Sequence, residues 1–324
     1  MRILVTGGWG FIGNGVVESL QQAGHQVRVL DNLTRYGGII PWEEHNYLVI
    51  ERKKKFSSDT ITHQVDIESS IVDTIFGMFL PEIVIHLASI PRQRVVNNNP
   101  AVGARVLCEG LLNLLEASAK YGVRKFVYVS SSMVYGDFSD DIREDAPCNP
   151  QGSYAIMKLA GEQLVRDYSR RGLLEHTVIR PSAVYGPLDV EDRVVSKFLL
   201  GALRGETLQV NGSQERLDFS YVDDVVGGIS AAATSHNTVN KTYNITRSES
   251  HTLLDAAELA VRLAGKGSIQ VNDRDLEFPA RGSLNIDAAR RDFDYTPTVD
   301  FRDGLSRYHE WIKSSTYWSK KLST

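Results

Sequence analysis

Cysteine is scarce: Cys108 and Cys148 are the only two in 324 residues, too few for a disulfide framework and without paired metal-ligand spacing. A reducing compartment is expected, and the cytoplasm with it. The eight histidines are scattered singly, so each reads as a surface or satisfied core residue and no metal site is expected. No apolar run approaches the roughly 18 residues that a membrane span needs. The N-terminus reads as a strand broken by glycines, unlike a signal peptide, so no membrane partner is expected. Positive charge is not in excess, since the formal net charge is −4. The one dense basic run, Arg52-Lys53-Lys54-Lys55, follows Glu51 and reads as a solvated loop, which leaves no nucleic-acid patch. Internal repeats and low-complexity tracts are absent as well.

What is present begins at the N-terminus. The apolar run Arg2-Ile3-Leu4-Val5-Thr6 leads directly into Gly7-Gly8-Trp9-Gly10-Phe11-Ile12-Gly13, and Val16, Val17 and Leu20 then recur at helical spacing. Strand, glycine turn and helix follow in order. Glycine at 7, 10 and 13 allows positive φ, close approach to a pyrophosphate and tight helix–strand packing, while the helix N-terminus offers free N–H groups to phosphates. A second strand, Gln26 to Leu30, ends at Asp31, where a carboxylate accepts both ribose hydroxyls and repels a 2′-phosphate. The pattern points to NAD rather than NADP. The alternative for Asp31 is a turn cap ahead of Asn32.

Further strand-like runs at Ile83 to Leu87, Phe126 to Ser130 and His176 to Arg180 alternate with helix-like stretches such as Val102 to Lys120 and Tyr154 to Arg171. The expected fold is α/β: a Rossmann-type, doubly wound parallel sheet with a smaller mixed α/β C-terminal lobe. Residues 1–181 form the dinucleotide-binding part, with return segments near 217–246, and residues 182–324 form the substrate lobe. The tail after Trp311 is expected to fray. A chain of this length supports one large or two modest domains with a full core.

Tyr154 and Lys158 lie four residues apart on one helical face. A free phenol, with a pKa of about 10, works as a base near neutrality only beside positive charge. Taken alone, the pair equally describes two ordinary helix residues. The strand Val127 to Val129 ends in Ser130-Ser131-Ser132, placing hydroxyls where they can orient a substrate alcohol beside Tyr154. A serine-rich turn is the alternative.

Together with Asp31-Asn32-Leu33, Asp66-Ile67, His86-Leu87-Ala88-Ser89, Val134-Tyr135-Gly136, Arg180-Pro181, Tyr185-Gly186-Pro187, Asp218 to Asp224 and Pro279-Ala280-Arg281-Gly282, these motifs give a chain-long resemblance. The chain resembles the extended short-chain dehydrogenase/reductases, specifically the NAD-dependent epimerase/dehydratase branch acting on nucleotide sugars. The resemblance implies that Tyr154 is the acid and base, that Lys158 holds the nicotinamide ribose and lowers the phenol's pKa, and that Ser131 bonds the reacting oxygen. Gly7, Gly10, Phe11, Ile12, Gly13, Asp31 and Asn32 would hold the dinucleotide, Asp66 and Ile67 the adenine, and Leu87, Ala88, Ser89 and Pro181 the remaining cofactor wall. It further implies a homodimer through the helices at Val102 to Lys120 and Tyr154 to Arg171, although Leu111, Leu114 and Leu115 serve a core equally well.

Departures from the family pattern bear on the reaction and the substrate. Met133 stands where members that dehydrate or decarboxylate sugars carry an acid, and a thioether cannot exchange protons. Epimerisation at C4 of a nucleoside-diphosphate sugar is therefore the leading expectation. A 4-keto-sugar reductase or sugar dehydrogenase using NAD(P)H is the alternative, and a catalytically silent NAD-binding protein comes third. Ala183 replaces a phosphate-binding asparagine, Leu217 displaces an arginine that survives one residue earlier as Arg216, and Leu107 replaces another asparagine. Arg281 matches a phosphate-binding arginine. Arg92 and Arg94 overhang the crevice as readers of a phosphate or acidic sugar, or as exposed loop residues.

Overall fold

The structure, a computed structural model, describes residues 1–35 and 40–323. Seven strands form one parallel sheet: β1 (Arg2–Thr6), β2 (Gln26–Asp31), β3 (Ile61–Gln64), β4 (Ile83–His86), β5 (Lys125–Val129), β6 (Glu175–Pro181) and, much later, β11 (Lys241–Ile245). Their spatial order is β11-β6-β5-β4-β1-β2-β3. The order reverses between β1 and β4, and the carboxyl ends of these neighbours mark where a ligand crevice opens in such sheets.

Alternation along each strand builds two apolar layers. Ile3, Val5, Val27, Val29 and Ile85 face a cluster with α1 (Gly13–Gln22) and α9 (Val222–Thr234). Leu4, Leu30, Val84 and Phe126 face the opposite cluster with α3 (Ile71–Phe79), α6 (Gly110–Lys120) and α7 (Gly152–Arg170). After α4 (Gln93–Asn98), α5 (Pro100–Ala104) runs through a π-helical turn at Arg105–Glu109 into α6 with helical backbone angles throughout, so the helix expected over Val102 to Lys120 is present and carries a π-bulge. Leu111, Leu114 and Leu115 are fully buried in the second layer, which puts them in the core rather than on an outward face.

The second lobe gathers α8 (Val194–Arg204), α10 (Leu253–Ala264), α12 (Phe301–Ser314) and α13 (Thr316–Leu322) around its own core. Short strand pairs accompany them: β7 (Val184–Tyr185) with β10 (Ser220–Tyr221), β8 (Thr207–Asn211) with β13 (Ser268–Asn272), and β9 (Arg216–Asp218) with β12 (Ser250–Thr252). The return to the first lobe is made by α9 and β11, while β9 remains in the second lobe; α11 (Asp287–Phe293) packs beside β11.

Two expectations are overturned. The tail after Trp311 does not fray, because α12 runs on to Ser314 and α13 buries Trp318 at 1% exposure, with the Ser315 hydroxyl accepting the Trp318 N–H at 3.2 Å. Nor is the basic run wholly a solvated loop. Arg52 and Lys53 close α2 (Trp42–Lys53), and Arg52 is 3% exposed. Lys54 pairs with Glu51 and Lys55 with Glu18 at the surface.

Candidate active site

Above the sheet's carboxyl edge, between the lobes, opens a cavity of about 1150 Å³. Every residue assigned a site role in the sequence reading borders it. Gly7 ends β1 at φ +71, and a Cβ there would lie 2.5 Å from the Ala88 N. A Cβ on Gly13 would lie 2.1 Å from the Gly7 carbonyl oxygen. Both glycines are thus demanded by the close approach of the turn, α1 and the chain leaving β4. Gly10 and Gly13 lack the positive φ.

Asp31 caps the turn ahead of Asn32, the alternative offered for it. Its carboxylate accepts the Trp9 N–H at 2.9 Å and the Leu33 N–H at 2.8 Å, which ties the glycine turn to the end of β2 and leaves acceptor positions for a ligand. Burial pushes its pKa up, while those two N–H groups and the nearby Arg52 charge pull it down. Asn32 donates to Asp66 at 3.1 Å, and Asn113 holds the neighbouring loop through the Ile67 carbonyl at 2.7 Å. On the other side of the turn the Leu87 N–H donates to the Thr6 carbonyl at 3.0 Å and the Ala88 N–H to the Thr6 hydroxyl at 3.3 Å. That hydroxyl also pairs with His86 Nδ1 at 2.7 Å.

The first turn of α7 is anchored by Tyr154 N–H donating to Asn97 at 3.1 Å. One turn on, Lys158 donates to the Val129 carbonyl at 2.9 Å and stands 5.2 Å above the Tyr128 ring. Burial lowers its pKa to about 8, against the upward pull of Glu162. Ser131 caps the short 3₁₀ turn Ser132–Tyr135, its hydroxyl accepting the Met133 N–H at 3.2 Å. Ile90, Val96 and Leu107 pack behind Tyr154. Burial among them raises the phenol's pKa, and Arg193, Ser131 and Ser89 each act to lower it. A further turn along α7, the fully buried Glu162 accepts Ser130 Oγ at 2.7 Å, Arg180 Nε at 2.9 Å and Nη2 at 2.7 Å, and Arg166 at 2.9 Å. This network fixes the ends of β5 and β6 against the helix that carries Tyr154 and Lys158.

The arginines divide by partner. Arg92 is largely buried and pairs with Asp192 at 3.5 Å. Arg94 turns to Asp275 and Glu277, the latter at 3.0 Å, closing the first lobe's loop onto the second. Arg216 pairs with Asp140 at 2.9 Å at the second lobe's edge of the cavity. Arg281 places Nη1 3.6 Å from the Met133 sulfur, its Nε lacks a hydrogen-bond partner, and burial lowers its pKa to about 10. Leu217 lies in the second lobe's core with Ala183 packed against it, so neither supplies a polar contact. Sequence reasoning missed Arg193, whose charge reaches Tyr154, and Asp189, a buried carboxylate with one unpartnered oxygen facing Arg193, Arg92 and Arg52. Their only signal was position, just ahead of the helix at Val194.

These features fit a dinucleotide: a glycine turn packed tightly against its neighbours, a carboxylate at the end of β2, and, one helical turn from Tyr154, an ammonium with a single hydrogen bond. Residues 3–246 match the family model described as the NAD dependent epimerase/dehydratase family. The chain belongs to this family. It is an NAD-dependent enzyme of the nucleotide-sugar epimerase and dehydratase group. Among similar proteins, a putative UDP-glucose 4-epimerase of Methanocaldococcus jannaschii is 29% identical, the match covering 97% of this chain and 99% of that one. The UDP-glucose 4-epimerase of Thermotoga maritima, solved with UDP-glucose, superposes with a TM-score of 0.86 at 29% identity over 97% of this chain and 99% of that one. The UDP-glucuronic acid 4-epimerase of Bacillus cereus, solved with UDP-glucuronic acid and NAD, gives 0.88 at 27% identity over the same shares. Among the described residues no helix is long and apolar enough to cross a membrane, and no three potential ligands cluster as a metal site.

Proposed function

We propose that this enzyme epimerises a nucleoside-diphosphate sugar at C4 through a transient ketone, with NAD regenerated in each cycle. The observation carrying this reading is the convergence of Tyr154, Lys158 and Ser131 on one cavity that Met133, a thioether unable to exchange protons, also borders. Hydride acceptance and return at the sugar carbon would be the chemistry supplied by bound NAD. The chain's own residues do the rest. Tyr154 removes the hydroxyl proton and later restores it, Ser131 orients the oxygen, and Lys158 stabilises the phenolate through its charge. Asp31, with the glycine turn from Gly7 to Gly13, would hold the adenosine half, with Asp66 and Ile67 at the adenine. Leu87, Ala88, Ser89 and Pro181 would wall the remainder.

Arg281, with no carboxylate in contact, suits the diphosphate. Arg216, already paired to Asp140, is the weaker candidate. At the sugar end, Arg193 near Tyr154 supports a sugar bearing a carboxylate, while Arg92, already paired with Asp192, is the weaker candidate there. A hexuronate would then turn over with a lower KM than the neutral hexose of the same nucleotide.

The test is turnover of UDP-glucose and UDP-glucuronic acid followed by NMR, with absorbance at 340 nm read in parallel. Inverted product without net cofactor change is expected, and Tyr154→Phe should lose about 10²- to 10⁴-fold in kcat. Stoichiometric loss or gain of NADH would instead establish the reductase or dehydrogenase. A homodimer is also proposed, through α6 and α7, whose outward surfaces expose Leu112 and Ile156. Sedimentation as a monomer at micromolar concentration would refute it.

A further inference from the structure

Arg52 has no task in the chemistry above, yet it is among the most buried cations in the molecule. Its Nη1 donates to the Trp9 carbonyl at 2.9 Å and its Nη2 to the Leu188 carbonyl at 2.8 Å. Trp9 lies inside the glycine turn, and its own N–H is one of the two that Asp31 accepts. Leu188, held at φ +71, opens the loop between β7 and α8. That loop carries Asp189, Asp192 and Arg193 along the sugar end of the cavity. One planar guanidinium therefore joins the cofactor loop directly to the substrate loop, and its charge acts on both Asp31 and Asp189. A lysine, with a single nitrogen, cannot present two fixed parallel donors to carbonyls on opposite sides.

We propose that Arg52 is a positioning residue that couples the two halves of the site, so that a ligand against the 188–193 loop slows release of the cofactor and the cofactor slows release of that ligand. The identity of both ligands rests on the functional reading above. Reciprocity is required by linkage, and couplings of this kind usually amount to about 5- to 150-fold.

The experiment measures NADH dissociation from the full chain by displacement, with and without saturating UDP-glucuronic acid, whose sugar reaches the 188–193 loop and which the reduced cofactor cannot oxidise, in wild type, Arg52→Met, Arg52→Lys and Glu44→Gln. Glu44 is the control: it ties α2 to the same 188–193 loop, accepting the Glu191 N–H at 2.7 Å, but makes no bond to the glycine turn. UDP-glucuronic acid should slow NADH release about tenfold in wild type and in Glu44→Gln, within the usual coupling range. The ratio should fall to about one in Arg52→Met and be intermediate in Arg52→Lys. A ratio of one in wild type overturns the proposal, as does an unchanged ratio in Arg52→Met. If Arg52→Met does not fold, an undiminished ratio in Arg52→Lys overturns it equally. Because only binding is read, failure of the wild type to turn over any nucleotide sugar would sink the functional reading and leave this ratio standing.

Discussion

Replacing Glu162 by Gln changes neither volume nor shape, but it removes the one negative charge in a buried cluster that holds two arginines. Both carboxylate oxygens are committed: Oε1 to Ser130 and Arg180, Oε2 to Arg180 and Arg166. Whichever position the amide nitrogen takes, it faces at least one guanidinium N–H donor, where no hydrogen bond can form. Arg180, itself 2% exposed, is left with an uncompensated charge, and breaking a buried pair in this way costs about 3–5 kcal/mol. With an unfolding entropy of about 2.1 cal/mol/K per residue over the whole chain, a loss near 4 kcal/mol lowers Tm by about 6 °C. Differential scanning calorimetry at pH 7 reads this directly. Burial pushes the Glu162 pKa up, but hydrogen bonds and charge from Arg180 pull harder, leaving it below its ordinary value. A depressed carboxylate contributes stability above its unfolded pKa and loses it as pH falls through the folded one. The gap between wild type and Glu162→Gln should therefore narrow in acid. A shift below 1 °C at pH 7, or a gap that widens in acid, would refute the reasoning.

Two further outcomes concern stability. His86, lowered to about 3, and His176, lowered to about 4, are both kept neutral by burial, so the unfolded chain takes up protons first as pH falls below 6.5. Each should subtract about 2 kcal/mol between pH 7 and pH 5; a urea midpoint that does not move over that interval would contradict this. Trp318→Ala should cost about 3–5 kcal/mol, seen as a lowered Tm, whereas an unchanged Tm would mean that α13 contributes nothing to the second lobe's core.

The parts of the site that were legible before any coordinates are those whose chemistry is local. The glycine turn announces itself within seven residues, and Tyr154 and Lys158 need only one helical turn to meet. Arg52 was misread because its partners lie 43 and 136 residues away, so composition around it said surface while tertiary contact made it interior. Arg94 was offered to a substrate for the same reason, since Asp275 and Glu277, which hold it, arrive from the other lobe. The tail failed on size: α13 is only seven residues long, too short for periodicity to stand out, and it is held by the burial of Trp318. The π-turn at Arg105–Glu109 has no compositional mark at all.

The position of β11 has a consequence for how the chain is made. Its five residues pair in register with Thr177 to Pro181 of β6, yet they are synthesised about sixty residues later, after α8, the first short strands of the second lobe and α9. Until Lys241–Ile245 leaves the ribosome, β6 is an open, apolar sheet edge able to pair with another nascent chain. The first lobe thus cannot finish folding before much of the second has been translated. A gene cut at residue 181 would release a sheet lacking its border, and aggregation of that fragment, rather than a soluble cofactor-binding domain, is what this topology dictates.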